Sequence, residues 1–338
     1  MVDFKSYYLT VLIFFGLICF FFKKKNFLLN ETGEVHQNFS SNKKVLLTGG
    51  LFIYLLIFYF YKQVHFKFYL FVSLFLILGI ISDIKIIRSA TSRLFLQITI
   101  VIFFVISNEI YLENTRIFIL DELLKNYLFN YLFVSFCILI VLNGSNFIDG
   151  LNGLSLGYYI LISLIVFYLY NSGYILPEFI ILNYLIIFLI TTLILNFLNL
   201  IFLGDSGVYI LSVIFSSFLI DFYILNQSIS PLFIILLLWY PCFETLFSMI
   251  RKIALRTSPM KPDNKHLHQL VFLYILKKTN YSKFVSNNIS SVCLNAYNLI
   301  IFLIALNFLN NTKFQVMMVL FNIFIYIMVY ISLQKKFL

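Results

Sequence analysis

The sequence predicts an all-α polytopic membrane protein of about 10–11 transmembrane helices, with its N-terminus outside and its polar site on the cytoplasmic face. Hydrophobic residues make up 62% of the 338 and charged residues only 11%, whereas soluble domains carry roughly 25% charged residues. The apolar residues come in eleven long runs, and about 20 consecutive apolar residues span a bilayer as a helix. Within those runs polar and apolar residues do not alternate as they would in the strands of a membrane barrel.

The first run, 7–22, precedes Lys23, Lys24 and Lys25. A signal peptide carries its positive charge before the apolar stretch, so this order predicts an uncleaved first helix. Spans then centre on 45–61, 68–81, 94–107, 127–142, 153–170, 178–197, 208–224, 231–250, 285–307 and 314–333. Two of these, 45–61 and 178–197, are interrupted by Gly, Thr or Asn and are the least regular. The longest connection, 251–284, is too short to fold alone, so residues 1–338 read as a single integral-membrane domain. The four cysteines all fall in apolar runs without CxxC spacing and read as packing residues.

Lys and Arg collect on the cytoplasmic side of membrane proteins. With the N-terminus outside, one set of connections holds 18 of the 24 Lys/Arg and the other holds 6. The asymmetry fixes the expected orientation. It also accounts for the net charge of +10 without any nucleic-acid partner, and it suits anionic headgroups and phosphate substrates.

Carboxylates near lipid are expensive and are retained mostly for a purpose. Asp83, Asp149 and Asp205 each sit where a span meets the predicted cytoplasmic side, beside Ser, Gly or Asn. In NGSNFIDGLNG, Asn143, Asn146 and Asp149 recur at spacing three and share a helical face. Gly150 and Gly153 permit close backbone approach. FLGDSG sets Asp205 between two glycines, with Phe202 available to stack on a flat base. Amide and carboxylate oxygens suit a hard cation such as Mg²⁺. The connection RKIALRTSPMKPDNKHLHQL carries Arg251, His266 and His268, whose cations complement a phosphate group. The plain alternatives are helix caps, tight turns and a solvated basic loop.

In combination these motifs resemble the polyprenyl-phosphate N-acetylhexosamine-1-phosphate transferases (glycosyltransferase family 4). The stretch 143–154 matches that family's NxxNxxDGxxGL, 202–207 its FxGDxG, and KKVLLTGG at 43–50 its basic-then-TxGG stretch. The histidine segment is closer to the HIHH of the WecA-like branch. The resemblance implies transfer of a sugar 1-phosphate from a UDP-amino sugar to a polyprenyl (undecaprenyl) phosphate. UMP is released, and the lipid-diphosphate sugar feeds cell-envelope polysaccharide synthesis at a bacterial-type inner membrane. It implies Mg²⁺ on Asp205 and Asn146, and Asp83 at the lipid phosphate or near the metal. Asp149, Gly150, Asn152 and Phe202 would form a uridine pocket with Asn143 beside it. His266 and His268 would contact diphosphate or sugar, and Lys43, Lys44 and Arg251 phosphate. A homodimer is a further expectation.

The chain departs from the pattern in places. Ser82 stands where the family has the first of two adjacent Asp, Glu244 is the acid ahead of the histidine segment, and DRxHIHH reads DNKHLHQ. Two other readings fit parts of the sequence: a secondary transporter with a cytoplasmic-side polar site, and a binding homologue that has lost catalysis.

Overall fold

A computed structural model describes residues 4–30, 44–59, 66–176, 179–258 and 265–337. All the regular structure among them is helical. In chain order the helices are α1 (Phe4–Lys25), α2 (Gly49–Tyr59), α3 (Phe66–Asp83), α4 (Ala90–Ser107) and α5 (Phe118–Leu124). There follow α6 (Tyr127–Ile148), α7 (Leu154–Asn171), α8 (Phe179–Phe197), α9 (Gly204–Leu225) and α10 (Pro231–Leu237). The last are α11 (Trp239–Ala254), α12 (Leu267–Lys278), α13 (Lys283–Leu306) and α14 (Thr312–Phe337).

Every expected span corresponds to a helix, but the count of full-length ones is lower. Among the described residues eight helices are long and apolar enough to cross a membrane, or nine if α10 and α11 form one bent span. Of the two irregular runs, 45–61 gives the short helix α2, of 11 residues, and 178–197 gives α8, of 19. Helix α2 starts only at Gly49 because the residues before it are extended. Leu46 bridges to Leu29 on one side and to Ile201 on the other, and the amides of Gly49 and Gly50 donate to the carbonyls of Phe202 and Leu203 at 2.9 and 3.1 Å.

The run 231–250 reads as one span but bends by 74° between α10 and α11. Pro241 has no N–H to offer the carbonyl four residues back, and its ring crowds that carbonyl. The freed oxygen of Leu237 instead accepts from the Tyr158 hydroxyl at 2.9 Å. Inside a membrane such a break persists only where another group takes up the released backbone atoms, and Tyr158 on α7 does so.

Helix α9 is the axis of the bundle. Within its apolar window 72% of residues are buried, against 11% for α1, so α9 is core and α1 is periphery. It packs on α2, α3, α6, α7 and α10, while α6 also packs on α11 and α13 on α7. Small residues let the helices meet, as membrane packing favours. A Cβ on Gly144 would lie 2.0 Å from the Pro241 carbonyl oxygen, so α6 and α11 cross backbone to backbone there. The cysteines are less enclosed than expected. Cys19, Cys137 and Cys242 are half-buried and Cys293 is exposed, in keeping with the apolar outer surface of a membrane bundle.

The opposite end of the bundle, away from the aspartates, is tied by Arg116. Its guanidinium donates to the carbonyls of Gln227, Ser228, Ile229 and Asn310 and to the Thr312 hydroxyl, at 2.8–3.1 Å.

Candidate functional site

The FLGDSG turn leads into α9, and the end of α3 lies against it. Gly79 makes that approach possible, because a Cβ there would lie 2.1 Å from the Ser206 Cα. Gly204 adopts a positive φ of 72°, and a Cβ on it would fall 2.8 Å from an Asp83 oxygen. The Asp83 carboxylate accepts from the backbone amides of Asp205 (2.8 Å) and Ser206 (3.3 Å). The first N–H groups of any helix lack partners in their own helix, and Asp83 fills that need for α9. Asp83 is thus a capping residue, as the plain alternative has it, but for a helix about 120 residues away in sequence.

Asp205 is held on one oxygen. Its Oδ2 accepts from the Ser82 hydroxyl, from Arg93 Nη1 at 3.2 Å and from the Tyr209 hydroxyl at 3.3 Å. Arg93 Nη1 also donates to Ser82 Oγ at 3.0 Å. Ser82, the odd residue of the sequence pattern, is therefore a link between the guanidinium and the carboxylate. Arg93 and Asp205 keep 31% and 20% of their side-chain surfaces exposed, so the pair opens to the helix ends. In the sequence Arg93 reads as an ordinary positive-inside flank.

Asp149 follows the last residue of α6, with its amide donating to the Ser145 carbonyl at 3.1 Å. Burial pushes its carboxyl well above the ordinary carboxylate value, and the Asp205 and Asp83 charges push it further. The three aspartates thus lie close enough to repel one another. Asn146 is half-buried one turn earlier on α6. Asn143 is one turn earlier again, and its amide donates to the Leu139 carbonyl at 2.9 Å within that helix.

The turn from Asp149 to Gly153 is fixed by asparagines that the sequence does not single out. The Gly153 amide, at φ 72°, donates to Asn196 Oδ1 at 2.6 Å. The Asn152 amide donates to Asn287 Oδ1 at 2.8 Å, and its side-chain nitrogen donates to Asn199 and Asn288. Asn152 is buried. Its N–H groups are spent on α13 and the end of α8, which leaves it only a carbonyl oxygen for any ligand. Asn side chains near a turn are too common to be read from sequence as a network.

The histidines form a second cluster beside that turn. His268 is wholly buried, neither ring nitrogen has a hydrogen-bond partner among the described residues, and a Cβ on Gly150 would lie 2.5 Å from its Nε2. Burial holds its pKa down at about 3, with the neighbouring His266 acting in the same sense and Glu244 opposing. His266 Nδ1 lies 2.8 Å from Glu244 Oε1, and its ring packs against Phe147 and His268 at centroid distances of 5.1 and 5.6 Å. Arg251 donates to the Lys265 carbonyl and to the Tyr330 hydroxyl. Phe202 is half-buried beside Asp205 in sequence, Lys44 is exposed, and Lys43, Asp263 and Asn264 lie outside the described residues. The connection 251–284 is no simple loop, since α12 occupies its middle.

Among the described residues no group of three or more His, Cys, Asp or Glu side chains is arranged to hold a metal ion unaided. The donor set nevertheless fits magnesium. Mg²⁺ is usually bound by one or two carboxylates together with waters and substrate phosphates, not by an all-protein cage. The like charges of the three aspartates, with Arg93 paired to Asp205 at 3.2 Å, favour an added positive charge.

A helical membrane bundle with carboxylates gathered at helix ends defines the class: an integral membrane protein with an anionic site at one end of its helices. The profile of the family described as glycosyl transferase family 4 matches residues 65–223, from α3 through most of α9. Over that span the chain is similar to this family. It is also 31% identical over 70 residues to the undecaprenyl-phosphate alpha-N-acetylglucosaminyl 1-phosphate transferase of Thermotoga maritima. Those residues are 21% of this chain and 23% of that relative, so the matched region spans under a quarter of the relative's length.

Proposed function

We propose that the protein transfers a sugar 1-phosphate, N-acetylhexosamine 1-phosphate, from a UDP-sugar to a polyprenyl phosphate and releases UMP. The observation that carries this reading is the meeting of Asp83, Asp149 and Asp205 at one end of a bundle that matches the glycosyl transferase family 4 profile. Phosphoryl transfer relies on positioning and charge neutralisation more than on covalent groups. A bound magnesium ion would neutralise the diphosphate and stabilise the leaving UMP. Asp205 would hold it through Oδ1, since Oδ2 is already taken by Ser82, Arg93 and Tyr209, with Asn146 as the second donor. Asp83 positions Asp205 through the α9 amides. Arg93 presents a permanent cation to the incoming lipid phosphate. The turn at Asp149 and Gly150 forms the nucleotide side, with Phe202 against the base, and the histidine cluster closes over diphosphate and sugar.

A transporter places its polar site near the bilayer midplane. Asp83 ends its helix, Asp149 follows one and Asp205 opens one, which favours a site at the membrane surface. We assign that surface to the cytoplasmic leaflet of a bacterial-type membrane on the Lys/Arg asymmetry, with the product entering cell-envelope polysaccharide synthesis. The test is purified protein in lipid nanodiscs with polyprenyl phosphate, Mg²⁺ and a panel of UDP-sugars, scored for UMP release. Turnover of a UDP-N-acetylhexosamine is expected. Absence of turnover with every UDP-sugar would overturn the reading.

A further inference from the structure

Helix α14 corresponds to the apolar run 314–333, yet one stripe of it is polar and enclosed. Gln315, Asn322, Tyr326 and Tyr330 follow one another at helical spacing and all are buried. The Tyr326 hydroxyl donates to Glu244 Oε2 at 2.7 Å, and four residues on, the Tyr330 hydroxyl accepts from Arg251 at 2.8 Å. Both partners lie on α11.

Glu244 is completely buried. A carboxylate in such a place is tolerated only when its oxygens are met by donors. Its Oε2 is met by Tyr326, and its Oε1 by His266 Nδ1 at 2.8 Å, with the Ser248 hydroxyl 3.4 Å away. An ionised carboxylate only accepts hydrogen bonds, so an ionised Glu244 can meet His266 at this contact only with a proton on Nδ1. A hydrogen bond at one ring nitrogen sets which nitrogen carries the proton at the other. His266 also begins α12: its amide donates to Gln269 Oε1 at 3.1 Å, which fixes the backbone at the point where the ring leaves it.

We propose that Glu244, supported by Tyr326 of α14, is a positioning residue for His266. It holds the imidazole with its proton on Nδ1 and Nε2 as the working nitrogen, against Phe147 of the Asn146–Gly150 segment. The chain's C-terminal helix, which lies beyond the family-matched region, thereby sets the chemistry of the histidine cluster. The role of His266 in turnover rests on the transferase reading; the tautomer does not.

The test uses the full chain in lipid nanodiscs, labelled with ¹⁵N-histidine. Only four histidines are present, so the ring-nitrogen spectrum is readable, and His266→Gln assigns the signal. The expected result is a His266 ring protonated at Nδ1 in the parent, with that preference lost in Glu244→Gln and restored in Glu244→Asp. Tyr326→Phe keeps the ring contact and is expected to weaken the preference in part. An Nε2-protonated His266, or one unchanged in Glu244→Gln, would overturn the proposal. In the UMP-release assay Glu244→Gln is expected to lower kcat about 10–100-fold with KM for the UDP-sugar within about twofold, and Glu244→Asp to recover part of the loss. A kcat equal to the parent's would overturn the positioning role. A parent protein without turnover would count against the transferase alone and leave the tautomer result standing.

Discussion

Replacing Asp83 separates two roles that a carboxylate at this place could have. In the structure both its oxygens face the first amides of α9, at 2.8 and 3.3 Å. Asp83→Ala leaves two N–H groups without their acceptor in a half-buried setting. Loss of a side-chain helix cap costs about 0.5–2 kcal/mol, and an unmet buried donor about 1–3 kcal/mol. With one contact short and one long, the two together come to about 2 kcal/mol. Asp83→Asn keeps one acceptor oxygen and is expected to lose about half of that. The α9 terminus carries Asp205, so loosening it moves the carboxylate on which the reaction depends. A displacement of about 1 Å at a reacting centre costs on the order of 100-fold in rate. The assays are thermal melting followed by Trp239, the only tryptophan, and UMP release from a UDP-sugar. The expected order is parent, then Asn, then Ala in both. If both variants melt like the parent and neither turns over, the capping account is wrong and Asp83 acts in the chemistry itself.

Asp149 carries its proton more readily in the fold than in the unfolded chain, because burial and two like charges raise its pKa. Its ionisation therefore weakens the fold as pH rises from the ordinary carboxylate range through the raised value. Asp149→Asn is expected to melt higher than the parent at pH 8 and to lose part of its pH dependence, while losing turnover; an equal or lower melting point at pH 8 would contradict this. His268 behaves in the opposite sense. With a folded pKa near 3 it must stay neutral, so its contribution is whole above about 6.5 and is lost as pH falls from there toward 3. His268→Phe is expected to flatten that acid limb of the melting curve, and an unchanged limb would place the acid sensitivity elsewhere. Gly144→Ala sets a methyl 2.0 Å from the Pro241 oxygen. Neither backbone can yield without separating α6 from α11, so a loss of about 1–3 kcal/mol is expected, and parent-like melting would refute the close crossing.

Much of the fold was legible because its signal is long and repetitive. Eleven apolar runs became helices where they were expected, and of the two runs broken by Gly, Thr and Asn one became the short helix α2. Pro241 lies within an otherwise continuous apolar run, and a proline there permits a kink without requiring one. The bend was decided by Tyr158, a partner about 80 residues away. The acidic side of the site was also legible, since an aspartate at a membrane surface is costly and stands out. Its supports were not. Arg93 looks like any flanking cation, Tyr209 and Tyr326 are two among 23 tyrosines, and Asn196, Asn287 and Asn288 gain meaning only when the chain brings them to Asn152 and Gly153. The capping contact of Asp83 was not legible, because a cap given to a distant helix leaves no local spacing to recognise.

The central proposal is one divalent ion held by Asp205, with Asn146, at the helix ends where the three aspartates gather. Mn²⁺ binding, followed by electron paramagnetic resonance in the presence of a UDP-sugar, tests this most directly in the parent protein and in Asp205→Asn. One ion per chain in the parent, with affinity at least about tenfold weaker in the variant, is the predicted result. Equal affinity in the two proteins would contradict it.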